Sequence, residues 1–169
     1  MCVVGECVWT GGSTVIHQLS KIDGLILRAW RVLPLYFSPS FLNLILSQAH
    51  SLPIMAMVYS AQNDEVWTSS DDKETHIWKA STAQLLSSFR SHTSLPRSLD
   101  ECDGEVIVSG SWDGECLIWH GKSNSLVCRA SLHTCKIRSV KLTSPFEMLT
   151  SSEDGEVAVW ELRHESPSE

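Results

Sequence analysis

Histidine, serine or threonine, and aspartate recur together along this sequence. Such a trio has the groups of a nucleophile, a general base and an acid that orients the base. The three sets are His50, Thr68 and Asp72; His92, Ser109 and Asp113; and His133, Thr150 and Asp154. An enzyme builds its active site once, so three copies at one repeat position favour a structural role over catalysis. No glycine-rich phosphate loop, HExxH or Gly-x-Ser-x-Gly motif accompanies them, and the sequence therefore predicts a non-catalytic protein.

Each set is closed by a tryptophan, and the tryptophans define a repeat. Trp78, Trp119 and Trp160 are spaced 41 residues apart, and then 41 again. A strand pair precedes each of them, most clearly at 105–119, where a β-branched run leads into Asp113-Gly114, a pair favoured in two-residue hairpin turns. A hairpin cannot bury its apolar face alone. A repeat of this period therefore predicts blades that stack on one another.

The period, the hairpins and the closing tryptophans resemble those of WD-repeat β-propellers, in which each repeat of about 40–45 residues builds a four-stranded blade. The resemblance implies a hydrogen-bond relay inside each blade, running through His, Ser or Thr, Asp and Trp. Buried histidines and aspartates need partners, so we predict a structural role for all members of the relay. The predicted relay residues are His50, Thr68, Asp72, Trp78, His92, Ser109, Asp113, Trp119, His133, Thr150, Asp154 and Trp160.

The repeats depart from the family pattern at two places. The residue after the closing tryptophan is not the family's Asp but Lys79, His120 or Glu161. The residue before the relay histidine is not Gly but Ala49, Ser91 or Leu132. The segments GECVWTGGS and NDEVWTSSDD also show a weaker similarity to the C-terminal propellers of DENN-type exchange factors and leucine-rich-repeat kinases.

The predicted fold is all-β, a partial β-propeller of about four WD-type blades of four antiparallel strands each. The distance from Trp9 to Trp67 exceeds the 41-residue period by 17 residues, which places an insertion between the first two blades. The predicted divisions are a degenerate first blade at 1–31, an apolar insertion at 32–48, blade two at 49–90, blade three at 91–131, blade four without its outer strand at 132–162, and a polar tail at 163–169.

Four interpretations of the insertion at 32–48 compete. Pro34 and Pro39 interrupt its apolar run, which is also shorter than the roughly 20 residues of a membrane span, so we expect no such span. A short amphipathic helix at 43–48 would dock on a partner. A loop on the rim is tolerable entropically. Its Leu, Pro, Phe and Ser content equally fits the translation of a retained intron.

Composition excludes several classes of protein. The chain has 169 residues, a formal net charge of −7, and 43% hydrophobic residues, which indicates one globular unit and argues against binding a nucleic-acid backbone. A basic cluster of Lys136, Arg138 and Lys141 is expected to be a solvated strand face. Six cysteines without a CxxC pair predict reduced thiols, with no metal and no cofactor. These features, with no visible signal peptide, predict a cytoplasmic protein and leave the nucleus open.

The predicted function is a protein–protein interaction scaffold. Propellers of the resembled family generally close with about seven blades, so the chain is expected to be a segment of a larger signalling or assembly protein, or to close on a second copy of itself. The candidate partner contacts are Asp71, Trp112 and Glu153, each one residue before a relay Asp. Trp112 is the strongest candidate, because exposed tryptophans often anchor interfaces; packing against the next blade is the alternative. Another alternative is a fragment, from a truncated or intron-retaining transcript, without independent function.

Overall fold

The computed structural model describes residues 50–163 in full and, before them, the backbone of four strands. Fifteen strands form in these regions, and no helix occurs in them. The strands are β1 Cys2–Val4, β2 Cys7–Gly12, β3 Val15–Ser20, β4 Ile26–Trp30, β5 Ile54–Ser60, β6 Glu65–Ser70, β7 Thr75–Lys79, β8 Leu85–Phe89, β9 Pro96–Cys102, β10 Val106–Ser111, β11 Glu115–His120, β12 Ser125–Ser131, β13 Ile137–Ser144, β14 Glu147–Ser152 and β15 Val157–Glu161.

The strands form four separate antiparallel sheets, which we call blades 1 to 4. Blade 1 is β1–β4, blade 2 is β5–β8, blade 3 is β9–β12, and blade 4 is β13–β15. In each blade, strands adjacent in sequence are also adjacent in the sheet. The innermost strands β5, β9 and β13 lie next to one another, and β1 and β2 lie next to β5. The blades therefore follow one another around an arc.

Apolar side chains between neighbouring blades hold the arc together. Between blades 2 and 3, Trp67 and Trp119 meet edge to face with ring centroids 5.8 Å apart, and both are fully buried. A buried tryptophan removes roughly 200 Å² from water, worth about 5 kcal/mol as an upper estimate. Between blades 3 and 4, Val108 packs against Ile137 and Met148. Each of these two interfaces thus takes one face from each of two blades, and a further buried cluster around Val66 and Trp78 lies within blade 2.

Blades 3 and 4 approach so closely that a side chain would not fit at Gly110. A Cβ there would lie 2.7 Å from side-chain atoms of both Ile137 and Val140. Glycine at this position of β10 lets the two sheets pack face to face without a gap.

The loop between the second and third strands has three residues in blade 3 and four residues in blades 2 and 4, so it is longer than the predicted two-residue turn. In blade 3 it is 112–114, and the backbone N–H of Gly114 donates to the Ser111 carbonyl at 3.2 Å. Gly114 and Gly155 have φ of 79° and 88°, and Lys73 takes the same position in blade 2 with φ of 70°. The left-handed residue lies at the end of the turn, directly before the return strand in blade 3 and two residues before it in blades 2 and 4.

Two predicted segments lie outside the described residues: the insertion at 32–48 and most of the polar tail, from residue 164 onward. Of the predicted tail, only Arg163 is described. Among the residues that the structure covers, no helix has the length and hydrophobicity needed to cross a bilayer.

Candidate functional site

The relay in blade 2 connects all four predicted residues. His50 Nδ1 lies 2.9 Å from Asp72 Oδ2, and His50 Nε2 lies 2.9 Å from Thr68 Oγ1. Trp78 Nε1 donates to the same hydroxyl at 3.0 Å. Burial alone would raise the pKa of Asp72, but hydrogen bonds from His50 and from the backbone N–H of Glu74 hold it well below its usual range. The chain of contacts ties the loop before β5 to the turn after β6.

A second histidine extends this cluster, and sequence reasoning missed it. The His76 ring stacks on His50 with centroids 3.9 Å apart and planes 14° apart, and its Nε2 lies 3.0 Å from Glu74 Oε2. Burial, and then the charge of His50, lowers the pKa of His76. The site therefore disfavours the positively charged form of His76.

The relay in blade 3 is shorter than predicted. His92 Nε2 lies 2.8 Å from Ser109 Oγ, which also accepts from Trp119 Nε1 at 3.3 Å. Asp113 turns away and accepts from Thr93 Oγ1 at 2.6 Å and from a backbone N–H. His92 Nδ1 is buried and has no hydrogen-bond partner among the described residues. Burial lowers the pKa of His92 to about 4, so the ring is neutral near pH 7.

Blade 4 uses a different acid from the predicted one. His133 Nε2 lies 2.7 Å from Thr150 Oγ1, and Trp160 Nε1 donates to that hydroxyl at 2.8 Å. His133 Nδ1 lies 3.0 Å from Glu156 Oε2, whereas Asp154 accepts from the Ser152 hydroxyl and from a backbone N–H within its own turn. The longer glutamate reaches the histidine from two residues further on, where Glu74 and Glu115 stand in the other blades.

Each relay holds the strands and turns of one blade together, and its histidine and hydroxyl side chains are buried. The relay side chains of blade 3, His92 and Ser109, are 4% and 0% exposed. Donor atoms of His92, Asp113 and Glu115 lie within 4.8 Å of one another, which is close enough to surround a metal ion. However, Asp113 already binds Thr93 and the backbone, and Glu115 forms an ion pair with Arg129. We therefore assign this cluster to the structure of the blade.

The three candidate partner contacts lie along one surface strip that crosses blades 2 to 4. Trp112 is half-buried and stands between them. Its indole is covered by three cations, with Arg97 Cζ 4.2 Å, Lys136 Nζ 4.7 Å and Arg138 Cζ 5.7 Å from the ring centroid. Such contacts are attractive, because the face of an indole ring is electron-rich.

The same cations bind the two acids at the ends of the strip. An Arg97 amine nitrogen lies 3.2 Å from an Asp71 oxygen. Glu153 pairs with Lys136 at 3.1 Å and with Arg138. The hydrogen bond from Lys136, with the charge of Arg138, holds the pKa of Glu153 below its usual range. We call this set the Trp112 strip; its members are Asp71, Arg97, Trp112, Lys136, Arg138 and Glu153.

The order of the strip follows from the repeat. Asp71, Trp112 and Glu153 are 41 residues apart, and so are Arg97 and Arg138. Each arginine stands at the start of an inner strand, next to the turn of its own blade and the turn of the preceding one. The strip is therefore an alternation of acid, cation, tryptophan, cation and acid across three blades.

Comparison with known proteins agrees with the blade architecture. Residues 83–120 match the family model for "WD domain, G-beta repeat". That segment runs from the outer strand of blade 2 to the third strand of blade 3, so it contains the relay of blade 3. Residues 83–120 are a WD repeat. No curated protein matches the chain.

Solved structures with the same fold include both natural and designed proteins. The chain is similar to U3-55K, with 21% identity and a TM-score of 0.78 over 94% of this chain and 47% of that one. It is similar to the WD40 β-propeller domain of Doa1, with 17% identity and a TM-score of 0.73 over 93% and 48% of the two chains. It also matches the computationally designed Ika4 protein, with 20% identity and a TM-score of 0.75 over 95% and 88%. The predicted all-β partial propeller with WD-type blades is confirmed.

The WD repeat is offset by one strand from the blade. It supplies an outer strand to one sheet and three inner strands to the next. β13–β15 are the three inner strands of such a repeat, and their outer edge borders a groove of about 590 Å³ between blades 3 and 4. Val127, Phe146 and Trp160 are among the side chains that line it. In blades 2 and 3, β8 and β12 occupy the outer position.

Sequence reasoning missed the cations of the WD blades. It assigned Lys136 and Arg138 to a solvated strand face, whereas both lie over Trp112 and pair with Glu153. It gave no role to Arg97 or Glu156. The spacing of 41 residues between Arg97 and Arg138 was the available signal.

Proposed function

We propose that this chain is a non-catalytic protein-interaction module, and that the Trp112 strip is its binding surface. WD40 propellers typically mediate protein–protein interactions, and that general role is the starting point. The observation that carries the proposal is the convergence of Asp71, Trp112 and Glu153. These three residues share one position in the repeat and form one continuous strip, joined by cations that bridge neighbouring blades.

The composition of the strip matches that of protein interfaces. Tryptophan and arginine are the side chains most often found as binding hot spots. The Nε1–H of Trp112 is buried and has no acceptor among the described residues, so the strip contains one unsatisfied donor. Arg138 and Lys136 are about half exposed and remain accessible on one side.

The charge of the strip indicates the chemistry of the partner. Three cations and two acids give the strip a net charge of +1, on a chain whose formal net charge is −7. A partner segment with carboxylates would be attracted to the strip and repelled by the rest of the surface. We therefore propose an acidic protein segment as the partner. Location inside the cell, in the cytoplasm or the nucleus, is part of this proposal.

The test is a comparison of partners captured by the wild-type chain and by Trp112→Ala, quantified by mass spectrometry after cross-linking. The captured amount of any protein that binds through the strip should fall at least about tenfold, which corresponds to a loss of about 1.4 kcal/mol or more in binding free energy. Leu86→Ala is the control, because Leu86 is exposed on β8, on the outer strand of blade 2. Equal capture by Trp112→Ala and wild type would exclude the strip.

A second variant guards against misfolding. Arg138→Glu reverses a half-exposed charge without touching the core, and its melting temperature should stay near that of the wild type. At low salt, Arg138→Glu should weaken the binding of an acidic partner more than Trp112→Ala does. This difference in affinity should shrink as salt is added. A partner that binds Arg138→Glu more tightly would show that the acidic chemistry is wrong.

The two alternatives, a segment of a larger protein and a fragment without independent function, are distinguished by the size of the endogenous product and by whether the chain folds. An endogenous product well above 18.8 kDa, detected with an antibody to 102–119, would place these blades in a larger signalling or assembly protein. The remaining blades would then come from the same chain. A fragment without function would fail to fold when expressed, and a cooperative melt of the 169-residue chain counts against it.

A further inference from the structure

Within residues 50–163, the relay histidine of blade 3 has a buried ring nitrogen without a hydrogen-bond partner. His92 is 4% exposed, and the unpaired atom is Nδ1. The corresponding nitrogens of the neighbouring blades are paired. In blade 2, His50 Nδ1 lies 2.9 Å from Asp72. In blade 4, His133 Nδ1 lies 3.0 Å from Glu156. An unpaired buried nitrogen is costly, so the exception in blade 3 needs a physical explanation.

Both acids that could serve His92 stand beside it. Asp113 and Glu115 hold the same repeat positions as the acids that contact the histidines of blades 2 and 4. One donor atom from each acid and one from His92 lie within 4.8 Å of one another. Because His92 Nε2 already contacts the Ser109 hydroxyl at 2.8 Å, Nδ1 is the nitrogen left for the acids.

The position of the ring proton decides what these three groups can hold. A proton on Nδ1 would be donated to one of the two carboxylates, and no such bond is present at His92 among the described residues. When Nε2 carries the proton and donates it to the Ser109 hydroxyl, Nδ1 presents a lone pair. A lone pair and two carboxylates are then three acceptors in one place, an arrangement that a cation between them stabilises.

The donor atoms and their spacing fit a zinc ion. Zn²⁺ binds imidazole nitrogen and carboxylate oxygen at about 2.0–2.2 Å in tetrahedral geometry. The ligand atoms of such an ion lie roughly 3.4 Å apart, so donors within 4.8 Å of one another need to approach by roughly 1 Å. Glu115, whose side chain is 20% exposed, has room to make this movement. Three protein ligands leave the fourth position for water.

The other contacts of the two acids are compatible with an ion. Asp113 Oδ2 accepts from Thr93 and from a backbone N–H, and Asp113 Oδ1 accepts from the backbone N–H of Glu115 at 3.1 Å. Each carboxylate oxygen has two lone pairs, so these bonds orient the acid and leave it able to bind a metal. Arg129 contacts Oε2 of Glu115, and Oε1 can turn towards the ion.

We propose that His92 Nδ1, Asp113 and Glu115 bind one Zn²⁺ ion, which ties the loop before β9 to the turn at 112–114 and to the start of β11. The ion adds to the structural contacts of this cluster and neutralises its two carboxylates. The prediction of no metal rested on the spacing of the cysteines, which does not bear on a site with nitrogen and oxygen ligands. The Trp112 strip is not part of this proposal.

The test is zinc binding by the 169-residue chain after a chelator has removed bound metal. Isothermal titration calorimetry should show a zinc site with a Kd of about 10 µM or below. Zinc at about 100 times the Kd should raise the melting temperature by roughly 5–10 °C. Co²⁺ in place of zinc should give an absorption spectrum without thiolate-to-metal charge transfer, because no sulfur binds the ion.

Two matched variants locate the ion. Glu115→Gln keeps the size of the side chain and removes a ligand charge, so it should weaken zinc binding at least about tenfold and abolish the thermal shift. Its metal-free melting temperature should stay near that of the wild type, because the ion pair with Arg129 is partly exposed. Glu156→Gln changes the same repeat position in blade 4, where the acid contacts His133, and should bind zinc as the wild type does.

Four results would overturn the proposal: a wild-type Kd above about 10 µM, zinc binding by Glu115→Gln as tight as that of the wild type, an equal loss in Glu156→Gln, and thiolate charge transfer with Co²⁺. The first shows that no zinc site exists, and the others place the ion elsewhere. Arg138→Glu should leave zinc binding unchanged. Zinc binding and partner capture can therefore fail separately, which distinguishes this proposal from the proposed function.

Discussion

The interface between blades 2 and 3 and the outward face of blade 4 are built from equivalent positions, but they have opposite exposure. At the first, Trp67, Ile77 and Trp119 are fully buried. At the second, Val159 occupies the position of Ile77 and is 63% exposed. The local sequence is apolar in both places, so the difference comes from the neighbour and not from the strand. In a repeat protein, a side chain is buried only when the adjacent repeat is present.

The largest expected effect compares these two positions directly. Ile77→Ala should lower the free energy of unfolding by about 2–5 kcal/mol, because it leaves a cavity in a packed interface. Val159→Ala should cost less than about 0.5 kcal/mol when the chain is dilute and monomeric. Urea denaturation of both variants measures the difference. Equal losses of stability for Ile77→Ala and Val159→Ala would show that the two faces do not differ in burial.

The second effect uses pH to sharpen the contrast between buried and exposed histidines. The pKa of His92 is about 4 in the folded chain and 6.5 in the unfolded chain, so the unfolded state binds more protons between these values. Stability is therefore full above pH 6.5 and falls as the pH drops towards 4, by up to roughly 3 kcal/mol. His76, whose pKa is also lowered, acts in the same direction.

Denaturation midpoints measured from pH 7.5 to 4 test this. His92→Gln should flatten the dependence, whereas His120→Gln, at an exposed position, should not. A wild-type chain whose stability is constant over this range would contradict the burial of a neutral His92.

The smallest effect compares the acids of two relays. Asp72, whose side chain is 8% exposed, is the acceptor for His50; Asp72→Ala leaves that buried nitrogen unpaired and should cost about 2 kcal/mol. Glu156, whose side chain is 58% exposed, serves His133; Glu156→Ala should cost less than about 1 kcal/mol, because water can replace it. Thermal melts of the two variants give the comparison. A larger loss for Glu156→Ala would mean that blade 4 is covered in solution.

The repeat explains how far the fold could be predicted. The 41-residue spacing of the tryptophans, with hairpins before them, was sufficient to place the strands of blades 2 to 4 and the blade architecture. The His, Thr or Ser and Trp contacts follow the same spacing, and all three sets come together. Periodic features are predictable because each copy meets the same neighbours.

The features that differ between blades were not predictable. The acid next to each histidine is Asp72 in blade 2, neither candidate in blade 3, and Glu156 in blade 4. The three turns have similar sequences, and each offers its histidine an aspartate and a glutamate two residues later. The side-chain conformations of these acids decide which one the histidine contacts. Lys136 and Arg138 were assigned to a solvated strand face because sequence spacing does not show that they reach Trp112.

By itself, the sequence determined the all-β repeat, the period of the blades, the histidine–hydroxyl–tryptophan contacts and the positions of Asp71, Trp112 and Glu153. Only the tertiary structure decided that Arg97, Lys136 and Arg138 join those three positions, and that Val157 and Val159 are exposed where Cys116 and Ile77 are buried among the described residues. The physical reason is that periodic local contacts repeat with the chain. Contacts between blades depend on which surface meets which, and on whether a next blade is there to meet it.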